Sequence, residues 1–262
     1  MPESNPHRDI VDLLRLVLLA FVARTGRSAL VAANLGCRWD RARPQIGVDP
    51  DIALIEPAPP GAAELSSLRT WEPGHVPPRF AVEVVSATNP TKDYEDAPVK
   101  YAVLGTRELV VFDPALIGPT CHDGPHVLQV WRHDGDSMVR VYAGAGPAHS
   151  SELDAWLVVT DEDRLRIADD AEGTHLWPTA EEAEAAARRE EAAARREEAA
   201  SRKRAEAALA GALRTARNAV VDLCDVLDIP LDEARRAHVV SLDAAGLEAL
   251  RAHLKRARSW PF

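Results

Sequence analysis

The stretch PRFAVEVVSATNPTKDYEDAPVKYAVLGTRELVVFDP, from Pro78 to Pro114, decides how this chain is read. Alternation in FAVEVV puts Phe80, Val82 and Val84 on one face of a strand and Ala81, Glu83 and Val85 on the other. Both faces are apolar except at Glu83, which is the pattern of a central strand buried on both sides. A polar loop, a helix near Pro98–Leu104 and a second apolar strand, ELVVF, follow. An ionised carboxylate inside such a strand costs several kcal/mol or more unless it is paired, metal-bound or protonated. Something must compensate for Glu83.

A partner is found upstream in VDPDIALIE, where Asp51 opens another apolar strand. Two carboxylates at the ends of adjacent strands make a hard oxygen site suited to Mg²⁺. An ion held there can polarise a phosphodiester and lower the pKa of a bound water. A lysine nearby orients that water or offsets charge in the transition state, and Lys100 on the following helix is the candidate. Asp49 lies on the same side of its strand as Asp51 and is a rival ligand. Asp93 reads as a helix cap and Lys92 as a solvated loop charge.

Further out, residues 8–25 repeat apolar positions at helical spacing, which predicts a first helix. SALVAANLG and PQIGVDPDIALIE read as strands, and a loop rich in Pro and Gly runs from Glu56 to Pro78. Short strands with Gly-rich turns fill the region from Val127 to Val159, and RLRIADDAEGTHLW closes the domain as a hairpin. The composition changes at Trp177–Pro178, giving a division into residues 1–177, 178–227 and 228–262. Thr179 and Glu182 form a T-x-x-E capping box that starts a long helix. Glu184→Arg188, Glu191→Arg195 and Glu198→Arg202 sit at i,i+4 with the acid first, the better orientation. A helix from there to Leu227 would be roughly 70 Å long. Its seam is mostly alanine up to Leu209, which predicts a solvated spacer rather than a strong coiled coil. Beyond that, Leu213, Val220, Leu223 and Leu227 give a packing face, Pro230 stops the helix, and two short helices (about 231–239 and 243–257) fold back as a hairpin. That tail is where homo-oligomerisation through the C-terminal helices is expected.

Bulk properties narrow the functions. The net charge of −10 sits in residues 1–177, residues 178–262 being neutral. An acidic domain argues against a broad phosphate-binding surface, although it leaves room for a local cleft. The longest apolar run, Ile10–Val22, contains Asp12 and Arg15 and is too short to span a bilayer, so no membrane partner is expected. No small-residue cleavage site follows it, and the reading is a core helix rather than a signal peptide. Cys37, Cys121 and Cys224 are scattered and odd in number, which favours reduced thiols in a cytoplasm. Cys121, His122, His126 and His133 crowd one loop, but C-H-x3-H-x6-H matches no common zinc spacing. Glycine-rich phosphate loops, nucleophile elbows and HExxH do not occur, which makes nucleotide hydrolases and serine hydrolases poor candidates.

The residues now assembled carry a resemblance. Pro50–Asp51, the strand motif EVVS at Glu83–Ser86, Asp93, KYAVLG at Lys100–Gly105 and VFDP at Val111–Pro114 resemble, in order and spacing, the Uma-two family of restriction endonucleases, a branch of the PD-(D/E)xK nuclease superfamily. The resemblance implies an α/β fold with a restriction-endonuclease-like core, a mixed central sheet flanked by helices. It implies a DNA phosphodiesterase using Mg²⁺ or Mn²⁺, with Asp51 and Glu83 as metal ligands and the backbone carbonyl of Val84 assisting. The superfamily's lysine stands two residues after the glutamate, where this chain has Val85. Similar sequences place lysine four residues before the tyrosine matching Tyr101, where this chain has Ala97. Lys100, nearly one helical turn further on, is the lysine this sequence offers. The alternatives are a catalytically impaired nuclease-like module kept for binding or assembly, and a purely structural Glu83 neutralised in the core.

Overall fold

The structure is a computed structural model that describes residues 5–120 and 123–261. The chain divides into two compact units, Met1–Ala185 and Ala186–Phe262.

The first unit opens with helix α1 (Asn5–Thr25). Short strands β1 (Leu30–Ala32), β2 (Gly36–Arg38) and β3 (Gly47–Val48) lead to β4 (Ile52–Ile55) and β5 (Ser67–Arg69). The stretch from Pro78 to Pro114 supplies β6 (Phe80–Val84), one π-helical turn (Lys92–Asp96), α2 (Ala97–Leu104) and β7 (Glu108–Phe112). Strands β8 (Leu128–His133), β9 (Met138–Gly144), β10 (Ala148–Ser150), β11 (Ala155–Val159) and β12 (Leu165–Ala168) complete it. A bridge between Ala168 and Leu176 turns the chain back after β12.

The main sheet has the order β1-β4-β6-β7-β8-β9. It is mixed: β6 and β7 run parallel, joined across the π turn and α2, and the other neighbours are antiparallel. Two three-stranded sheets, β3-β2-β5 and β10-β11-β12, flank it. The pleat sorts β6 as its alternation demands. Phe80, Val82 and Val84 meet Leu14, Val17, Leu18 and Phe21 of α1 in one core. Ala81 and Val85 meet Ala97, Tyr101 and Leu104 of α2 in the other. All five residues of β6 are buried. Each large apolar side chain so covered contributes about 1.5–3 kcal/mol relative to exposure, which holds the central strand between its two helical layers.

Local signals set where α2 begins and ends. Pro98 lies in its first turn, where the missing N–H removes no helical bond. Gly105 ends it at φ 87°, a left-handed conformation that glycine adopts without strain, and its N–H bonds back to Tyr101 and Ala102.

The capping box at the start of α3 (Ala180–Val226) is formed in both directions: Glu182 N–H donates to Thr179 Oγ1 at 3.1 Å and Thr179 N–H to Glu182 Oε2 at 2.8 Å. Among the expected i,i+4 pairs, Glu191 and Arg195 meet at 2.6 Å, whereas Arg202 reaches forward to Glu206 at 3.7 Å. In the second unit the end of α3 packs with α4 (Glu233–Ser241) and α5 (Ala244–Ala257). Val220, Cys224, Val239, Leu247, Leu250 and Leu254 form a separate core, with Leu213, Leu223 and Leu227 against it. Asp232 and Asp243 cap the two short helices through their side chains. Among the described residues no helix is long and apolar enough to cross a membrane.

Candidate active site

Glu83 projects from β6 toward α2 and is 3% exposed. Tyr101, fully buried on α2, donates its hydroxyl hydrogen to Glu83 Oε1 at 2.7 Å. Burial pushes the Glu83 carboxyl up to about 8 from 4.5, and the like charge of Asp51 pushes the same way. The Tyr101 hydrogen bond and the Lys92 ammonium act against it without cancelling it.

Asp51 arrives from the neighbouring strand. The antiparallel register pairs Ile52 with Val82, so Asp51, one residue before β4, comes level with Glu83. Its Oδ2 accepts the Val84 N–H at 2.7 Å, which ties the carboxylate to the end of β6. His7 of α1 reaches the same corner, with Nε2 3.4 Å from Asp51 Oδ2 and 3.2 Å from the Val84 carbonyl. A carbonyl can only accept, so Nε2 carries the proton.

The π turn brings in Asp93, 5% exposed, and Lys92, whose Nζ lies 3.9 Å from Asp93 Oδ1. The Asp93 carboxyl is pushed up to about 6, chiefly by burial, with Asp51 adding to the rise and Lys92 and His7 opposing it. Three acids therefore share one poorly solvated corner with one imidazole and one ammonium. Such mutual perturbation of buried acids is a mark of functional sites.

The candidates read from the sequence are distributed as follows. Asp51 and Glu83 are brought together. Lys100 is not: its ammonium pairs with Asp96 at 3.2 Å and its side chain is 38% exposed. The inward positions of α2 are Ala97, Tyr101 and Leu104, and Lys100 stands one residue, about 100° of helix, from Tyr101. Ala97, the position at which the resemblance leads one to expect a lysine, lies in the core. The Val84 carbonyl faces His7. Asp49 pairs with Arg38 at 2.8 Å and is largely exposed, and Arg107 pairs with Glu152 rather than with Glu83. Asp93 is buried in the π turn, not a cap, and Lys92 is a half-exposed neighbour of the acids.

His7, Lys92 and Asp93 went unrecognised as site residues in the sequence. His7 lies 77 residues from its contact at Val84, and the π turn breaks the period by which a helix is read. Of the crowded Cys/His loop, Cys121 and His122 lie outside the described residues. His126 faces Asp123 at 3.9 Å, and His133 Nε2 meets the Ala102 carbonyl at 3.0 Å. Cys37 and Cys224 are buried free thiols, and burial pushes the former up to about 12.

The donor set suits a hard divalent cation in kind, since Asp51 and Glu83 bring carboxyl oxygens from adjacent strands to one buried corner. Among the described residues, no three or more His, Cys, Asp or Glu side chains are grouped as a ready-made metal site. A cation would rest on the two carboxylates, with backbone and solvent oxygens completing its shell.

The unit is a mixed-sheet α/β domain with an acid cluster at the end of its central strands. Residues 1–127 match the family model described as "Uma2: Putative restriction endonuclease", a span that contains the whole cluster. Over that span, a little under half of the chain, the sequence is similar to that family, and the match supports a nuclease-like function. A solved structure described as a putative nuclease belonging to DUF820, from Anabaena variabilis ATCC 29413, is similar at 15% identity. The match covers 59% of this chain and 76% of that one, with a TM-score of 0.41. No curated protein matches the chain.

Proposed function

We propose that the protein is a metal-dependent endonuclease that hydrolyses DNA phosphodiester bonds at the Asp51–Glu83 corner, using Mg²⁺ or Mn²⁺. The observation that carries this reading is the buried pair itself, two carboxylates from adjacent strands, one held protonated up to about pH 8 by burial and by the other. A divalent cation would supply the missing positive charge, polarise the phosphodiester and favour ionisation of water. The chain's own residues divide the remaining work. His7 and the Val84 N–H fix the Asp51 carboxylate, and Tyr101 fixes Glu83. Lys92, half-exposed beside Asp93, takes the part first assigned to Lys100, offsetting charge on the attacked phosphate.

Nicking of supercoiled plasmid in Mg²⁺ or Mn²⁺ tests the assignment. Glu83→Ala should abolish nicking, Lys92→Ala should lower it by about 10²–10³-fold, and Lys100→Ala should leave it within about twofold. Calorimetry gives a second readout: wild type should take up Mn²⁺ and Glu83→Gln should not. Equal cutting by wild type and Glu83→Ala would assign the activity to a contaminant. Absence of cation uptake by wild type would end the reading.

One observation favours a second reading. With Lys100 outside the corner and Ala97 in the core, the family's lysine position is lost, and the unit could bind DNA without cutting it while the C-terminal helices assemble copies. DNA retention without nicking in either metal, together with a sedimentation mass above one chain, would select it.

A further inference from the structure

In the second unit, α3 and α4 border a groove that collects positive charge. On α3, Arg214, Arg217, Asn218 and Val221 stand at i, i+3, i+4 and i+7, one face of the helix. On α4, Arg236, Val239 and Val240 stand at i, i+3 and i+4. With Leu231 of the connecting turn, the two stripes line a cavity of about 360 Å³. That volume lies within the usual range of ligand sites, about 300–1,000 Å³.

Three guanidiniums share this hollow, and two of them are held in place by backbone. Arg217 Nη2 donates to the Val240 carbonyl at 2.6 Å, and Arg236 Nε to the Leu231 carbonyl at 3.1 Å. Among the described residues Arg214 makes no hydrogen bond or ion pair, and none of the three meets a carboxylate. A carbonyl brings only a partial charge, so three full positive charges stay unneutralised in one groove. Guanidiniums are the preferred partners of carboxylates and phosphates, which they grip through paired N–H bonds. Side chains already tethered lose less freedom when an anion arrives.

The rest of the lining says which anion. Val221, Leu231 and Val240 give the groove an aliphatic part, and Val240 is 62% exposed. A bare phosphate would meet the arginines and leave those side chains uncovered. A nucleic-acid strand, charged at every nucleotide, would run into the adjoining hollow, which shares Arg236 and Leu231 but also carries Asp225 and Asp228. The exposed part of α3 from a second copy brings Arg188, Arg189, Arg195 and Arg196 among its glutamates, and those cations would oppose the groove's own. A protein segment with an aliphatic side chain flanked by carboxylates meets both parts of the lining. Amphipathic helices dock on such grooves through side chains at the same i, i+3, i+4 and i+7 spacing.

We infer that the α3–α4 groove docks an acidic amphipathic segment of another protein, its carboxylates on Arg214, Arg217 and Arg236 and its aliphatic side chain against Val221, Leu231 and Val240. The site lies within residues 214–240 and does not depend on the endonuclease reading.

Selection from a displayed random-peptide library on the immobilised full chain tests the groove. Enriched peptides should place Asp or Glu beside Leu, Ile or Val, and the double variant Arg214→Glu/Arg236→Glu should not enrich them. Both arginines are exposed and lie outside the core of the second unit, so the variant should keep the wild-type circular dichroism. An enriched peptide, labelled and titrated, should bind the double variant at least about tenfold more weakly than wild type. Its lysine-for-acid counterpart should not bind wild type. Val240→Ser, at an exposed position, should also weaken binding and decides the question if the double variant loses helix. No enrichment, enrichment of peptides without acids, or equal binding by wild type and both variants would overturn the proposal. Two further results would overturn it by naming another occupant. Displacement of the peptide by a DNA duplex would assign the groove to nucleic acid. A sedimentation mass above one chain that falls to one chain in the double variant would assign it to a second copy.

Discussion

Glu83 is the residue on which most of the site's behaviour turns. Its carboxyl ionises near 4.5 in an unfolded chain and at about 8 in the fold, because burial and Asp51 disfavour the charge. Between those values the folded protein holds one proton more than the unfolded, so the stability of the metal-free protein falls as pH rises through that window and levels off above it. Asp93, raised from 3.8 to about 6, adds a slope of the same sign at lower pH. Denaturation followed by tryptophan fluorescence should show wild type losing on the order of a few kcal/mol between about pH 5 and pH 8.5, and Glu83→Gln losing clearly less. Five of the six tryptophans lie in the first unit, so the signal reports the right core. An equal slope for both proteins would remove Glu83 as the titrating group.

At the scale of elements, β6 was legible because its alternation is strict and both its faces are apolar; the pairing with β4 followed from the PD step before Ile52. The lysine was not legible. A reader counting by 3.6 residues starts α2's phase from Lys100 and Tyr101, but the chain enters through a wider π turn, so Asp93 rather than Lys100 turns inward. His7 offered no local signal at all: it stands just ahead of the helical spacing read over residues 8–25, and only the closed sheet sets it against Val84. The π turn is supported from outside by Tyr94, whose hydroxyl donates to Asp113 at 2.8 Å beneath Gly118. A Cβ on Gly118 would lie 2.3 Å from the Tyr94 ring. Gly118→Ala should therefore push that ring aside and lower stability by about 1–3 kcal/mol. The denaturant midpoint checks it, and a wild-type midpoint would show that the ring moves freely.

Across the whole molecule, each unit has its own hydrophobic core. Leu254, fully buried in the terminal helices, tests the second: Leu254→Ala should cost that unit about 2–5 kcal/mol, read as loss of helical circular dichroism at lower temperature, with the tryptophan transition of the first unit unmoved. The acidity of residues 1–177 sets a second expectation. Few phosphates can be neutralised by such a surface, so the affinity of a Glu83→Gln protein for DNA should fall with salt at a slope near one or two, roughly −0.9 per phosphate contacted. A slope as steep as that of a basic DNA-binding protein would point to contacts through the Arg-rich C-terminal helices instead. The corner itself is drawn from α1, the edge of β4, the end of β6 and the π turn, so residues as distant as His7 and Asp93 must meet for it to exist. No fragment or half-closed sheet can display it. During refolding, the unusual proton affinity of Glu83 should then return only with the slowest native phase, later than helical content, making one carboxyl group a reporter on completion of the chain's assembly.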